Sequence, residues 1–467
     1  MSDQTPEDRA SNADTSTRQG GGAVLGGLMR PLNTLVERFI PSALVFAIIL
    51  TFVVALLAVV LTDAGPVTVV EEWGLGLAGL LEFITQMALI LLLGYILANT
   101  RPVHKLLVRL ARVPKTAIQA YLFVFVVAAL ASLITWGLGL VAGALLAREV
   151  AYEFRRRDEL VHFPMLVASA FSGFVVWHMG YSASGPLLAA TPDSFVADQL
   201  GEPLAITETI FSTWNLIAAA VTIAVVALAL YLIAPRSKRA IVPLTVDARE
   251  KAVEIEQDVV TPADRVDASR IPTLATGLLL VGYLVIHFVG GGSLTLDIVN
   301  WSFLALIMLL VRNPFELIAL TKKAASNVGE ILLQFPLYAG ILGIMAGTGL
   351  ISVISEGFVA ISNQQTFALF AFLSAGLVNF FVPSGGGQIA VQAPILLEAA
   401  ESLGTDPAVA IMAVAYGDQW TNMIQPFWAL PLLAIAGLKM RDILGYTTIT
   451  LIASGLVFSA ALLLVSL

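Results

Sequence analysis

The chain has 467 residues, 58% of them hydrophobic and 12% charged, with a mean hydropathy of +0.88. That composition excludes a soluble domain of this size and predicts an all-α polytopic membrane protein embedded in the lipid bilayer. With zero cysteines there are no disulfides and no thiolate chemistry; four separated histidines (His104, His162, His178, His287) give no helical metal-ligand pair; and a net charge of −8 is too weak to define a partner, nucleic acid included.

Residues 1–30 are polar, with no apolar h-region, and read as a disordered cytoplasmic tail, not a signal peptide. Pro31–Pro41 carries Leu32, Leu35, Val36, Phe39 and Ile40 at near-helical spacing and suits an interfacial position. Spans are predicted over Ala43–Thr62 and Leu80–Ala98, joined by an acidic outer loop, 63–75. Glu82, near the outer end of the second span, is expected to be solvated. The loop 101–115 holds Arg101, Lys105, Arg109, Arg112 and Lys115 and no acid, which places it in the cytoplasm.

Thr116–Ala147 is an uncharged stretch of 32 residues, broken near its middle at Thr135-Trp136-Gly137-Leu138-Gly139 and flanked by basic residues at both ends. Two full crossings need roughly 40 residues, so this reads as a re-entrant hairpin that opens to the cytoplasm. Leu160–Ala190 is apolar but interrupted between Trp177 and Pro186, and leads to an outer acidic loop with Asp193, Asp198, Glu202 and Glu208. Thr209–Ala234 returns to a cytoplasmic linker, 235–270, with seven basic and seven acidic side chains.

In the second half, Ile271–Val289 crosses out, Leu294–Val311 crosses in, and Asn327–Met345 crosses out again. Thr366–Leu397 is again 32 uncharged residues, with Pro383-Ser384-Gly385-Gly386-Gly387-Gln388 between two apolar runs. Proline and glycine make a helix expensive there, and bare backbone in hydrocarbon must be buried in protein or line a cavity. A second hairpin, opening outward, is expected. Pro407–Leu438 is interrupted at Gly417-Asp418-Gln419-Trp420-Thr421-Asn422, and Tyr446–Ser466 is the last crossing.

The two halves repeat one order: span, span, hairpin, broken span, span. Ser132 follows Gln86 by 46 residues and Asn379 follows Gln334 by 45, and the charge sidedness is opposite. The expected fold is therefore two inverted-topology repeats, 31–234 (hairpin 116–147, broken helix 160–190) and 271–467 (an extra span, then hairpin 366–397 and broken helix 407–438). Paired broken helices of this kind place a transport site at the bilayer midplane.

No Lys or Arg lies between Glu159 and Pro235 or between Ala324 and Leu438. A bound anion would be held by backbone N–H groups, hydroxyls, amides and helix N-termini. The candidate substrate residues are Trp136, Gly137, Gly139, Ser182, Ser184, Pro383, Ser384, Gly385, Gly386, Gly387, Gln388, Asn422 and Gln425. Asn379, Asp418 and Thr421 are candidates for the coupling cation, a sodium ion or a proton, because an intramembrane acid is by default a cation or proton site. Trp136, Trp177, Trp420 and Trp428, with Phe380, Phe381 and Phe427, offer an aromatic wall for a short apolar tail; packing or anchoring would place them equally well. His178 reads first as a satisfied buried histidine and only second as a proton relay.

The segments Met87-Ala88-Leu89-Ile90, Trp136-Gly137-Leu138-Gly139-Leu140-Val141-Ala142-Gly143, Pro186-Leu187-Leu188-Ala189-Ala190-Thr191-Pro192, Val382-Pro383-Ser384-Gly385-Gly386-Gly387, Tyr416-Gly417-Asp418-Gln419-Trp420-Thr421-Asn422-Met423 and Gln425-Pro426-Phe427-Trp428-Ala429-Leu430-Pro431 closely resemble the short-chain fatty acid transporter family of prokaryotes. The resemblance covers about residues 30–467. It implies uptake of small monocarboxylates such as acetoacetate or butyrate across the cytoplasmic membrane. It also implies kinship with the ion transporter superfamily, whose sodium-coupled dicarboxylate carriers have paired hairpins and elevator motion. Those carriers have Ser-Asn-Thr at their hairpin tips. Here the tips read Thr135-Trp136-Gly137 and Pro383-Ser384-Gly385, so their sodium ligands do not carry over. A dicarboxylate symporter and an anion channel stay open as alternatives, as does a homodimer. No metal cluster, nucleophile–base pair or phosphate loop supports an enzyme.

Overall fold

The computed structural model describes residues 43–79, 81–191, 194–236, 241–244, 259–292, 296–325, 328–381 and 385–467. The N-terminal tail, most of the linker, Asp193, and Pro383 and Ser384 of the second tip lie outside them. The first half comprises α1 (Ala43–Leu61), α2 (Pro66–Gly76), α3 (Leu81–Asn99), α4 (Arg101–Ala111), α5 (Ala117–Ile134), α6 (Trp136–Arg156), α7 (Phe163–Ser172), a 3₁₀ segment (Gly173–Met179), α8 (Ser184–Ala190), α9 (Phe195–Leu200) and α10 (Thr213–Ile233). The second half comprises α11 (Pro262–Asp267), α12 (Ile271–Val289), α13 (Leu296–Leu310), α14 (Pro314–Ala325), α15 (Gly329–Gly347), α16 (Leu350–Val359), α17 (Phe367–Phe381), α18 (Gly385–Leu403), α19 (Pro407–Thr421), a short 3₁₀ turn (Asn422–Ile424), α20 (Pro426–Ala436) and α21 (Met440–Val465).

Six of these segments are long and apolar enough to cross a membrane, or eight if two bent pairs each count as one span. Burial orders them. Only 11% of the best apolar window of α12 is buried against the rest of the chain, and Leu279, Ile286 and Val289 point outward. Residues 163–180 are buried throughout. An apolar surface facing outward needs lipid, whereas a helix enclosed all round is the centre of the bundle.

Short helices appear where loops were expected. The basic stretch 101–111 is α4, which bends 81° from α3. His104, Lys105 and Arg109 are exposed, while Val103, Leu107, Val108, Leu110 and Ala111 turn inward. That three-to-four spacing makes an amphipathic helix suited to a membrane surface. The acidic loop holds α2, with Pro66 preset for the first helical turn. Beyond α15 the chain turns 61° into α16, and Gly349 at φ 74° permits the corner.

Glycines set the close approaches that bind each hairpin to its broken helix. Gly173 lies on Ala128 and the backbone of Ala129 in α5, and Gly180 is pressed onto the backbone of Leu133. The Tyr181 N–H completes this by donating to the Leu133 carbonyl at 2.8 Å. In the second half Gly417 of α19 is pressed onto the Phe372 carbonyl and Gly376 in α17. A smaller second core, with Leu93, Tyr95, Ile96, Val299, Phe303 and Ile307, joins α3 to α13. Its seam with the first hairpin is also glycine-lined: a Cβ at Gly94 would lie 2.6 Å from Val141 Cγ1, and one at Gly137 would lie 2.8 Å from Ile90 Cδ1.

Candidate functional site

Three helix interruptions and the described start of α18 come together inside the bundle. The first hairpin breaks at Thr135, whose extended backbone (φ −155°, ψ 138°) ends α5 and starts α6. The first broken helix narrows to the 3₁₀ segment and then opens over Gly180–Ala183. The second hairpin is described up to Phe381 in α17 and again from Gly385 in α18, and the second broken helix opens at Asn422–Gln425. This last position corrects the expected interruption at Gly417–Asn422. Gly417 and Asp418 remain helical because Gly417 is used for close contact with α17, so the break starts one turn later.

Cross-links between the breaks are made by predicted residues. The Trp136 N–H donates to Ser182 Oγ at 3.2 Å, tying hairpin to broken helix in the first half. The equivalent tie in the second half runs through Asn379, whose amide donates to Thr421 Oγ1 at 2.9 Å and to Asn422 Oδ1 at 2.7 Å. Thr421 in turn donates to the Gly376 carbonyl at 2.8 Å. The halves meet at Gly385, where a Cβ would lie 3.0 Å from Ser184 Oγ, 3.1 Å from Trp177 Cη2 and 3.2 Å from His178 Cε1.

Other candidates have different employment. Gln388 spends its amide hydrogens inside the second hairpin, on the Ala375 carbonyl at 2.8 Å and Gln392 Oε1 at 2.9 Å, so it is not available as an anion donor. Gln425 caps α20 by accepting from the Phe427 N–H at 2.9 Å, which leaves its amide nitrogen for another partner. Gly139 packs against Ser132 and serves helix contact. Gly386 is exposed with open space around it, and Gly387 belongs to the first turn of α18. Of the tryptophans, Trp136, Trp177 and Trp428 do cluster, with Trp136 and Trp428 edge-on at 5.1 Å and Phe174 stacked on Trp177 at 5.7 Å. Trp420 turns away to α21, donating to the Leu451 carbonyl at 2.7 Å.

Asp418 does not join Asn379 and Thr421. It is fully buried with its Oδ2 2.9 Å from Nδ1 of His178, also fully buried. His178 Nδ1 lies 3.0 Å from the Ala415 carbonyl as well, and the His178 backbone N–H donates to Gln419 Oε1 at 2.9 Å. Sequence reasoning undervalued His178 and passed over Gln419 and Asn215. Asn215 Nδ2 donates to the carbonyls of Met179 at 3.0 Å and Ile210 at 2.6 Å, and its Oδ1 accepts from Tyr416 at 2.8 Å. One signal was visible: an Asn three residues after Ser212 at a helix start, inside an otherwise apolar span.

Around these breaks a set of buried polar atoms has no hydrogen-bond partner among the described residues: His178 Nε2, both oxygens of Asp418, Gln419 Nε2, Asn422 Nδ2, Gln425 Nε2, Asn379 Oδ1 and Trp177 Nε1. Each such atom costs about 1–3 kcal/mol when left dry, and native proteins retain them where function requires it. Donors and acceptors are both represented, so the arrangement can hydrogen-bond a small polar guest.

Enclosed in apolar spans and built from helix ends, this centre belongs to a multi-pass membrane transporter. Residues 24–465 match the family model described as short chain fatty acid transporter. A relative from Escherichia coli (strain K12) that carries the same family description is 39% identical over 445 residues, covering 94% of this chain and 100% of its own. Another, from Haemophilus influenzae, is 37% identical over 445 residues, covering 93% and 98%. The chain belongs to the short-chain fatty acid transporter family, and its relatives are transporters, not enzymes. Among solved structures, the YdaH transporter of Alcanivorax borkumensis overlaps with a TM-score of 0.44 at 17% identity, covering 90% of this chain and 98% of that one.

Proposed function

We propose that this chain is a secondary active transporter that takes up short-chain monocarboxylates, such as acetoacetate or butyrate, across the cytoplasmic membrane and is driven by a cation gradient. The observation that carries this reading is the Asp418 carboxylate, wholly buried among broken helices. No Lys or Arg occurs in residues 160–234 or 325–437. An acid there needs a proton, a cation or a partner that can be charged, and a cation bound at that point also offsets the charge of an incoming carboxylate. The Trp136–Trp177–Trp428 cluster supports a short apolar tail beside that head group.

The same element order recurs in both halves, and in each the first hairpin arm packs on the broken helix through glycine, which supports two inverted repeats working as an elevator. Asn379 Oδ1 and the Thr421 hydroxyl form a second, uncharged candidate for cation contact.

Reconstituted protein tests the reading. Uptake of labelled butyrate should saturate, accumulate against its gradient when a sodium or proton gradient is imposed, and be competed by acetoacetate but not succinate. Competition by succinate would reassign the substrate to dicarboxylates. Flux that neither saturates nor responds to a gradient would make the protein a channel.

A further inference from the structure

We propose that His178 and Asp418 form the coupling site, that the coupling ion is a proton, and that Nε2 of His178 is the donor that holds the substrate carboxylate; this rests on the transporter reading above. The pair joins the two halves of the chain, His178 coming from the 3₁₀ segment of the first broken helix and Asp418 from α19 of the second. Both side chains are fully buried and their facing atoms are 2.9 Å apart. Nδ1 also lies 3.0 Å from the Ala415 carbonyl, and since that backbone oxygen can only accept, Nδ1 carries a hydrogen. That N–H is directed at the carbonyl, so neither carboxylate oxygen receives a hydrogen bond despite the short distance. A bare carboxylate in such a place is stable only beside an imidazolium or as the protonated acid.

The second ring nitrogen is the informative one. Nε2 is buried and has no partner among the described residues. Cε1, the carbon bonded to it, faces Gly385 at the start of α18, beside Ser184 Oγ and the Trp177 ring. This edge of the ring, where Cε1 joins Nδ1 to Nε2, lies at the point where the second hairpin meets the first break. The ionisable groups on the surrounding elements are otherwise engaged or distant in the chain. Tyr416 donates to Asn215 and Tyr446 contacts His162. Arg148 donates to the Ile435 carbonyl. Glu149, Glu153, Arg155 and Arg156 occupy the last turns of α6, Glu398 and Glu401 the far part of α18, and Arg441 and Asp442 the first turn of α21. Tyr121 on α5 accepts from the His162 N–H, and Tyr231 lies at the far end of α10.

Proton accounting then fixes the stoichiometry. With one proton shared, the pair is neutral. A carboxylate arriving alone would leave the centre with one negative charge in a low-dielectric interior. If it arrives with one further proton, His178 holds hydrogens on both nitrogens, Nε2–H donates to the substrate carboxylate, and Asp418 is the protonated acid. The loaded centre is again neutral. Both forms that must cross the membrane are then free of net charge, so one proton moves with each monocarboxylate, and each promotes binding of the other.

The test uses the full chain. In weakly buffered detergent solution, butyrate should draw in one proton per carboxylate bound; binding without proton uptake would overturn the proposal. In proteoliposomes an inward proton gradient should drive butyrate accumulation, an imposed membrane potential alone should not, and sodium should be dispensable. Wild-type exchange of butyrate that responds only to sodium would overturn the proton site while leaving the transporter reading intact. Failure of wild type to bind or exchange any monocarboxylate would remove both. His178→Gln keeps an amide donor but cannot hold two protons; it should bind butyrate more than tenfold more weakly and lose the pH dependence of exchange. Asp418→Asn should lose proton-driven accumulation. A folded His178→Gln protein with wild-type proton-driven accumulation would refute the assignment.

Discussion

His162 Nε2 lies 2.9 Å from the Tyr446 hydroxyl, linking the start of the first broken helix to α21 across 284 residues of chain. The other ring nitrogen accepts from the Val242 N–H at 2.8 Å, which fixes the tautomer: Nδ1 is bare, and Nε2 carries the hydrogen that Tyr446 accepts. His162 thus clamps the linker residues 241–244 to the bundle just outside the buried span.

Burial holds the His162 imidazole down to a pKa of about 4 from its ordinary 6.5. The folded state favours the neutral ring, so the unfolded chain binds the proton first. The stabilisation is complete above pH 6.5, falls as the pH drops toward 4, and is lost below that. It amounts to about 3 kcal/mol. Thermal unfolding in detergent at about pH 7.5 and about pH 4.5 should give a difference that shrinks in His162→Gln. An equal acid loss in wild type and variant would show that this ring does not titrate with folding.

Gly385→Val should abolish transport while membrane insertion persists. The added branches meet Ser184, Trp177 and His178, already 3.0–3.2 Å from a Cβ at that position. Valine at the neighbouring Gly386 has open space and should disturb packing far less. Butyrate exchange by Gly385→Val at the wild-type rate, with normal surface expression, would remove the second tip from the site.

Asn215→Ala should destabilise the protein by about 3 kcal/mol. It strips the Met179 and Ile210 carbonyls of a donor and leaves the Tyr416 hydroxyl without its acceptor. Tyr416→Phe removes one of these three bonds and should cost less. Melting temperatures of the two variants in one detergent check the order, which a purely steric role for Asn215 would reverse.

A chain without cysteine takes single-cysteine reporters cleanly. Glu159→Cys is the better reporter for the turn after α6, because its neighbour Asp158 sits at φ 55°, a strained conformation for a new side chain. Glu159→Cys should react with a membrane-impermeant maleimide only after cells are opened, as expected of a cytoplasmic turn. Labelling from outside intact cells would invert the proposed topology.

Long uninterrupted spans were legible in the sequence. Ile271–Val289 was bounded by an Arg before and glycines after, and α12 has those ends. The breaks at Thr135 and Gly180 were visible because Gly, Ser and Pro punctuate apolar runs. The break after Asp418 was misplaced because Gly417 looks the same in sequence whether it ends a helix or lets two helices touch. The His178–Asp418 pair was not legible at all. The two lie in different spans, separated by 240 positions, and no periodicity within either segment encodes the contact. The amphipathic α4 was hidden by its charges, which set the loop's sidedness and masked the apolar stripe between them.

Gly94 and Gly137 carry a mechanical consequence. Where α3 meets α6, the contact is made by bare backbone against Val141 on one side and Ile90 on the other. Interlocked side chains would act as a ratchet, each step requiring several of them to disengage together. In the elevator motion proposed above, a glycine contact would offer few teeth, so that the hairpin would pass along α3 with the two surfaces still in contact. Alanine at either position adds a tooth, and its first effect would be on the speed of that displacement.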